Sequence, residues 1–357
     1  MKHFNSIRVA IADDSLFVRR MLRELLSSET DINVVGEAKD GEEAVKLVKN
    51  LKPDVLLLDI IMPNKDGLSA LEEIMQENPI PVVVFSALTK KDANTTFEAL
   101  EKGAIDFILK PGGLPVPTSL EEVRRELITK VRIAAYTGPV RLITKRLKEE
   151  VFPVKKKSYV KEPSIVVVIG ASTGGPSIVE YIVSRLPQDL PATVFVVQHM
   201  PALFTKVFAD RLDKNSSLRV KEAEDGEKIV EGCCYVAPGD YHMIVDRKNV
   251  IHLDKGPKVH GVRPSVDVTM KSVAEVFGSR SVGVVLTGMG WDGAEGAYTI
   301  RKVGGFVIAQ DKKTSIVYGM PKAVVDVGAA NMVLPYHEIP STITRLVKVK
   351  KERGGFN

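Results

Sequence analysis

The sequence predicts an α/β protein of two doubly wound parallel-sheet domains, and three observations carry that reading. From residue 7 to residue 133, short apolar runs alternate five times with amphipathic helical stretches, the βα repeat of an open sheet covered on both faces. A separate alternating series begins at residue 165 and runs to residue 347. The length of 357 residues exceeds one typical domain, and a Pro-flanked basic stretch, Lys155-Lys156-Lys157 between Pro153 and Pro163, divides the two series. The expected organisation is a first domain over 1–135, a linker over 136–163 and a second domain over 164–357.

In the first domain, strands are expected at 7–12, 32–38, 55–59, 82–86 and 105–109. Helices follow at 16–26, 42–51, 68–75, 93–100 and 120–133. Function in such sheets collects at the carboxyl ends of the strands. The residues there are Asp13 and Asp14, Asp59, Ser86 and Lys110. Carboxylates brought together repel one another, so the cluster calls for a hard divalent ion, and oxygen ligands suit Mg²⁺. A carboxylate held beside such an ion can accept a phosphoryl group, with a hydroxyl and an ammonium to meet its oxygens.

Asp13-Asp14, the run Leu58-Asp59-Ile60-Ile61-Met62-Pro63 with Asp66-Gly67, the pair Ser86-Ala87 and Lys110-Pro111 resemble a response-regulator receiver domain from end to end. The resemblance implies that a partner histidine kinase phosphorylates Asp59. It also implies that Asp13, Asp14, Asp59 and the backbone carbonyl of Ile61 hold Mg²⁺, and that Ser86, Phe107 and Lys110 transmit the change.

Composition narrows the remaining classes. A net charge of +5 with 6% aromatic residues gives no basic stripe interleaved with stacking rings, so nucleic acid is not an expected partner. No apolar run approaches the roughly 20 residues that span a bilayer, and the start lacks a signal-peptide pattern, so a cytoplasmic protein without a transmembrane segment is expected. Cys233 and Cys234 are adjacent, which on a strand sends their side chains to opposite faces and suits packing better than a disulfide or metal site. The joint reads as a solvated connector, with a helical turn or two at 140–147.

In the second domain, strands are expected at 165–169, 193–198, 233–237, 243–245, 250–253, 282–287, 305–309 and 332–334. Helices are expected at 178–186, 204–212, 266–277, 294–303, 322–327 and 339–347. This is a Rossmann-like three-layer arrangement with a short antiparallel portion around 233–254, where strands follow one another without helices. Between the first strand and helix lies Gly170-Ala171-Ser172-Thr173-Gly174-Gly175. A tight turn there lifts the Ser172 hydroxyl clear of the sheet, and the helix N-terminus behind it offers N–H groups to an oxyanion. The same Gly-rich turn can cradle a phosphate or dinucleotide. A nucleophilic serine needs a base and an orienting carboxylate at neighbouring strand ends. His199 follows one strand. Asp292 follows another in Thr287-Gly288-Met289-Gly290-Trp291-Asp292-Gly293, although a loop histidine and an N-cap for the helix at 294 are the simpler roles for these two. His242, His252, His260 and His337 show no metal-ligand spacing and are read as structural.

These segments, with Gln198-His199-Met200 and Arg263-Pro264-Ser265-Val266-Asp267, resemble the chemotaxis protein-glutamate methylesterases along the whole chain. The resemblance implies a Ser172–His199–Asp292 triad, with Thr173 supporting the site and the Met289 N–H in the oxyanion hole. It implies hydrolysis of glutamate γ-methyl esters on methyl-accepting chemotaxis receptors, releasing methanol for sensory adaptation, and deamidation of selected receptor glutamines. No cofactor is expected for that chemistry. The unphosphorylated receiver is expected to cover part of the cleft. Trp291, where the family commonly has a small polar residue, and Val262, where it commonly has a histidine, depart from the pattern. Two other readings are a phosphorylation-controlled nucleotide- or phosphate-binding module without esterase activity, and a DNA-binding effector. The latter lacks its helix-turn-helix pattern.

Overall fold

The computed structural model describes residues 6–87, 89–111, 120–139 and 161–354. The chain divides into two units, Met1–Leu147 and Lys148–Asn357. In the first, the order is β1 (Ile7–Ala12), α1 (Leu16–Ser27), β2 (Ile32–Ala38), α2 (Gly41–Leu51), β3 (Val55–Asp59), α3 (Gly67–Glu77), β4 (Val82–Ser86), α4 (Lys90–Glu101), β5 (Asp106–Leu109) and α5 (Leu120–Thr137). The strands pair in parallel in the order β2-β1-β3-β4-β5. β3 and β4 are buried along their whole length because helices cover both faces, which is why they read as unbroken apolar runs. Side-chain caps start the helices: Asp40, Asp66 and Thr89 accept from the N–H of Glu43, Ser69 and Asp92.

The path from β1 goes outward to β2 and then returns past β1 to β3. That reversal opens a crevice between β1 and β3, where Asp13, Asp14 and Asp59 meet. α5 runs to Thr137, beyond the helix end expected at 133. The helical turn expected at 140–147 lies outside the described residues.

The second unit contains β6 (Val166–Ala171), α6 (Gly175–Ser184), β7 (Thr193–Gln198), α7 (Phe204–Asn215), β8 (Arg219–Glu222), β9 (Cys233–Val236), β10 (His242–Val245), β11 (Ile251–Asp254), α8 (Val266–Phe277), β12 (Ser281–Val285), α9 (Ala294–Lys302), β13 (Phe306–Gln310), α10 (Met320–Asp326), β14 (Met332–Leu334) and α11 (Ile339–Gly354). Seven of its strands form one parallel sheet, ordered β14-β13-β12-β6-β7-β9-β8. The chain leaves β6 towards β7 and later crosses back to β12 on its other side. The switch point therefore lies between β6 and β12, and the loops after both strands open into it.

The antiparallel portion is smaller than the expected span of 233–254. Only β10 and β11 pair that way, while the Cys233 strand joins the large sheet in parallel between β7 and β8. β8 is absent from the sequence reading because its residues, Arg-Val-Lys-Glu, carry one apolar side chain, as suits a strand at the sheet edge. Both cysteines are free and buried, in line with a packing role. Helix α8 presents Val266, Met270, Val273, Ala274 and Phe277 to the core. Truncating a buried Met or Phe of this kind costs about 2–5 kcal/mol, so the helix that borders the switch point is firmly seated. No described helix is long and apolar enough to cross a membrane.

Candidate active site

Backbone hydrogen bonds knit three strand-end loops of the second unit together. The Ser172 N–H donates to the Thr287 carbonyl at 3.0 Å, and the His199 N–H donates to the Ala171 carbonyl at 3.0 Å. The Gln198 amide donates to the Ser172 carbonyl at 2.9 Å, and the Thr287 hydroxyl donates to the Thr173 carbonyl at 3.0 Å. Sequence positions 172, 199 and 287–292 are thus neighbours through their backbones.

Gly288 permits this approach. A Cβ there would lie 2.8 Å from the Ser172 Cβ and 2.3 Å from the Met320 sulfur. Gly288→Ala is expected to push the two loops apart and lower turnover at least roughly tenfold, since small misplacements of reacting groups carry losses of that order. Steady-state rates beside an unchanged circular dichroism spectrum check it.

His199 Nε2 and Asp292 Oδ2 are hydrogen-bonded at 2.7 Å. The rest of the Asp292 carboxylate faces the N-terminus of α8: Oδ2 accepts the Val266 N–H at 2.7 Å, and Oδ1 accepts the Asp267 N–H at 3.0 Å and the Ser265 hydroxyl at 2.7 Å. Asp292 does not cap the helix that follows it, because Gly293 occupies that position without a side-chain bond. It caps α8 instead, from across the crevice. Burial works against its charge, yet the bond and charge of His199, the Asp267 N–H and the Ser265 hydroxyl outweigh it and bring its pKa down to about 2.

A carboxylate whose pKa is depressed on folding stabilises the fold above its unfolded pKa, near 4, and loses that contribution as pH falls through about 2. The stability gap between wild type and Asp292→Asn should therefore narrow by roughly 2 kcal/mol between about pH 5 and pH 2, as urea unfolding at a series of pH values would read.

Ser172 and His199 are half-buried at the crevice. Among the described residues, no hydrogen bond joins the Ser172 hydroxyl to His199 and no acceptor takes the N–H of Thr173 or Met289. With Nε2 turned to Asp292, Nδ1 is the ring nitrogen left to receive a proton. Sequence reasoning missed Ser265. As the residue before α8 it looks like an ordinary N-cap, but it makes no cap bond and its hydroxyl goes to Asp292.

In the first unit, one oxygen each from Asp13, Asp14 and Asp59 lies within 4.8 Å of the others. Lys110 Nζ lies 2.7 Å from Asp59 Oδ2 and 2.8 Å from Asp13 Oδ2, an ion pair with each. Burial raises the Asp59 pKa, with Asp13 adding to it and Lys110 opposing. The Lys110 pKa is raised because Asp13 and Asp59 outweigh the cost of burying its charge. One ammonium among three carboxylates leaves the cluster short of positive charge. The all-oxygen set of three carboxylates and the Ile61 carbonyl, which accepts no bond among the described residues, fit a hard divalent cation.

The other predicted residues of the first unit sit close by but are differently engaged. The Ser86 hydroxyl accepts from Thr96 at 2.8 Å and donates to the Ala87 carbonyl at 3.3 Å, so it is not bonded to Asp59. Its carbonyl accepts the Lys110 N–H at 2.8 Å. Phe107 is buried, with the Lys130 ammonium 5.3 Å from its ring centre.

Comparison with known proteins finds relatives of both units. The family description "CheB methylesterase" matches residues 167–343, and "Response regulator receiver domain" matches residues 9–116. A Pyrococcus horikoshii protein named protein-glutamate methylesterase/protein-glutamine glutaminase is 47% identical over 98% of this chain and 96% of its own length. The chain belongs to the CheB methylesterase family. A Thermotoga maritima CheB relative of the same name is 45% identical, covering 96% of this chain and 98% of that protein. The crystal structure of the Thermotoga maritima CheB methylesterase catalytic domain is 49% identical at a TM-score of 0.50, covering 51% of this chain and 98% of that one. The CheB assignment bears out the two parallel-sheet α/β folds, with the receiver ahead of the methylesterase domain.

Proposed function

We propose that this protein is a phosphorylation-regulated hydrolase of glutamate γ-methyl esters on chemotaxis receptors, with glutamine deamidation by the same route. The observation that carries the reading is the His199–Asp292 hydrogen bond in a crevice where two Gly-containing loops bring Ser172 against Thr287 and Gly288. Residues 1–135 serve as the receiver, 136–163 as the linker and 164–357 as the catalytic domain.

Asp292 holds the imidazole of His199 with its hydrogen on Nε2, so Nδ1 is a base. Ser172 Oγ attacks the ester carbonyl as its proton passes to Nδ1. The Met289 N–H meets the developing oxyanion, with Thr173 supporting the turn behind it. The carbon–oxygen bond to the methoxy group breaks, and methanol leaves with the proton from His199. Water then attacks the acyl-enzyme, giving its proton to His199, and Ser172 regains it as glutamate is freed. With a glutamine substrate, ammonia is the leaving group.

In the receiver, a histidine kinase supplies the phosphoryl group, which Asp59 accepts through a carboxylate oxygen. Mg²⁺ held by Asp13, Asp14, Asp59 and the Ile61 carbonyl would supply the missing positive charge when bound. Lys110 pairs with the added phosphoryl oxygens, and Ser86 and Phe107 pass on the change. The esterase chemistry uses no cofactor. The working compartment is the cytoplasm, where the receptors' methylated segments and the kinase are found. The test is release of methanol from methylated receptor membranes by the full chain, with and without a small phosphodonor and Mg²⁺. The reading requires release in both and faster release with the phosphodonor; absence of release in either would refute it.

A further inference from the structure

We propose that His260 is a positioning residue which, through Trp291 and Asp267, clamps the 287–293 loop of the esterase site and lets it go when the imidazole takes a second proton. The inference rests on the esterase reading above and adds a control point to that site. His260 and Gly261 form the tip of a short hairpin closed by reciprocal bonds between Val259 and Val262 at 3.1 and 3.0 Å. Their φ values are 52° and 78°, the pair of left-handed residues of a type I′ turn. Such a turn favours Asn, Asp or Gly at its first position and a histidine tolerates it, so the backbone alone does not select one there. The side chain does.

The Trp291 indole N–H donates to His260 Nδ1 at 2.8 Å, and His260 Nε2 lies 2.9 Å from Asp267 Oδ2. An indole N–H can only donate, so Nδ1 must be a bare acceptor and the ring hydrogen must sit on Nε2, directed at Asp267. Asp267 in turn accepts the Gly296 N–H at 2.6 Å and donates its own N–H to Asp292 Oδ1 at 3.0 Å. Trp291 and Asp292 are consecutive, so the contacts close a ring: Trp291, His260, Asp267, Asp292. One donor atom from each of His260, Asp267 and Asp292 lies within 4.8 Å of the others. The hairpin is itself anchored, since Arg263 donates to the carbonyls of Lys255 and Gly256 at 2.7 and 2.6 Å and to Asp240 at 2.5 Å.

A second proton on the imidazole would set Nδ1–H against the indole N–H, and the Trp291 end of the ring would open. The charged groups that face His260 are Asp267 on α8, Asp292 on the loop and Glu295 on α9; Lys271 lies 2.5 Å from Glu295, His199 lies beyond Asp292, and Lys258 belongs to the hairpin. The loop so held carries both the Met289 N–H and Asp292. Opening it loosens the oxyanion donor and the carboxylate together.

Trp291 is the single tryptophan of the 357 residues, so emission excited at the red edge, where the eight tyrosines do not absorb, reports on this ring alone. Titrated from alkaline to acid pH while the chain stays folded, wild type should show a one-proton change in emission. The same change should persist in His199→Gln and be absent in His260→Asn, whose asparagine suits the turn. At about pH 8, His260→Asn and Trp291→Phe should each lower kcat on receptor ester about tenfold with KM within about twofold. The double variant should lose about tenfold and not a hundredfold, because both changes open one ring. An emission change that survives His260→Asn would overturn the proposal, as would wild-type kcat in both single variants or losses that multiply in the double. A wild type that releases no methanol sinks the esterase reading instead, and the emission titration still decides the clamp.

Discussion

Ser172→Ala and His199→Ala each reduce methanol release from methylated receptor by at least roughly 10⁴-fold, the scale on which a nucleophile and its base fail together when either is removed. The double variant should be no slower than either single one, since the two groups carry one proton-transfer step between them. Asp292→Ala should cost less than Ser172→Ala in rate, because the base itself remains. It should cost more in stability. Asp292 accepts two N–H groups and a hydroxyl at the start of α8 as well as His199, and leaving such groups buried without an acceptor costs about 1–3 kcal/mol each. Rates of methanol release set beside urea midpoints separate the two effects. A Ser172→Ala variant that turns over at near wild-type rate would remove the serine from the mechanism.

Asp59→Asn abolishes the stimulation that a phosphodonor with Mg²⁺ gives to wild type, and the unstimulated rate stays where it was. Asp59 lies at the end of β3, buried, with Lys110 Nζ 2.7 Å from one oxygen and the Ile61 N–H 3.3 Å from the other. An amide keeps the shape but lacks the anionic oxygen that attacks phosphorus. It also removes one carboxylate from a set of three, two of which share the Lys110 ammonium, so affinity for a divalent cation should fall in the same variant. Lys110→Ala should still be phosphorylated yet respond weakly, because the phosphoryl oxygens lose their cationic partner. Stimulation that survives in Asp59→Asn would place the control site elsewhere.

Much of this was legible in the sequence because each decisive residue stands next to an apolar run. Asp13, Asp59, Ser86 and Lys110 end or follow strands of the first sheet, and Ser172, His199 and the 287–292 segment follow strands of the second; in a doubly wound sheet that position brings each set to one edge of its own sheet. The parts that escaped have physical reasons. β8 is an edge strand written in charged residues, so alternation has one apolar side chain to show. The Cys233 strand looked antiparallel because no helix precedes it, yet it joins the large sheet in parallel between β7 and β8.

Side-chain partnerships across the fold were the least readable. Asp292 seemed placed to cap α9 and caps α8; Ser265, the residue before α8, makes no cap bond and holds Asp292. His260 had no ligand spacing along the chain, and its partners lie at positions 267 and 291. Local rules name the type of residue a helix end wants, and only the tertiary arrangement says which helix it serves.

Three separate loops are proposed to build one nucleophile at Ser172. Labelling the full chain with a fluorophosphonate, followed by mass spectrometry, tests it most directly, because such a reagent reacts with a serine only where a base and an oxyanion hole activate it. A single adduct on Ser172 is expected, with methanol release lost in parallel as it forms, and little adduct in His199→Ala. Methanol release that continues while Ser172 stays unlabelled, or an adduct on a different residue that alone stops the reaction, would contradict it.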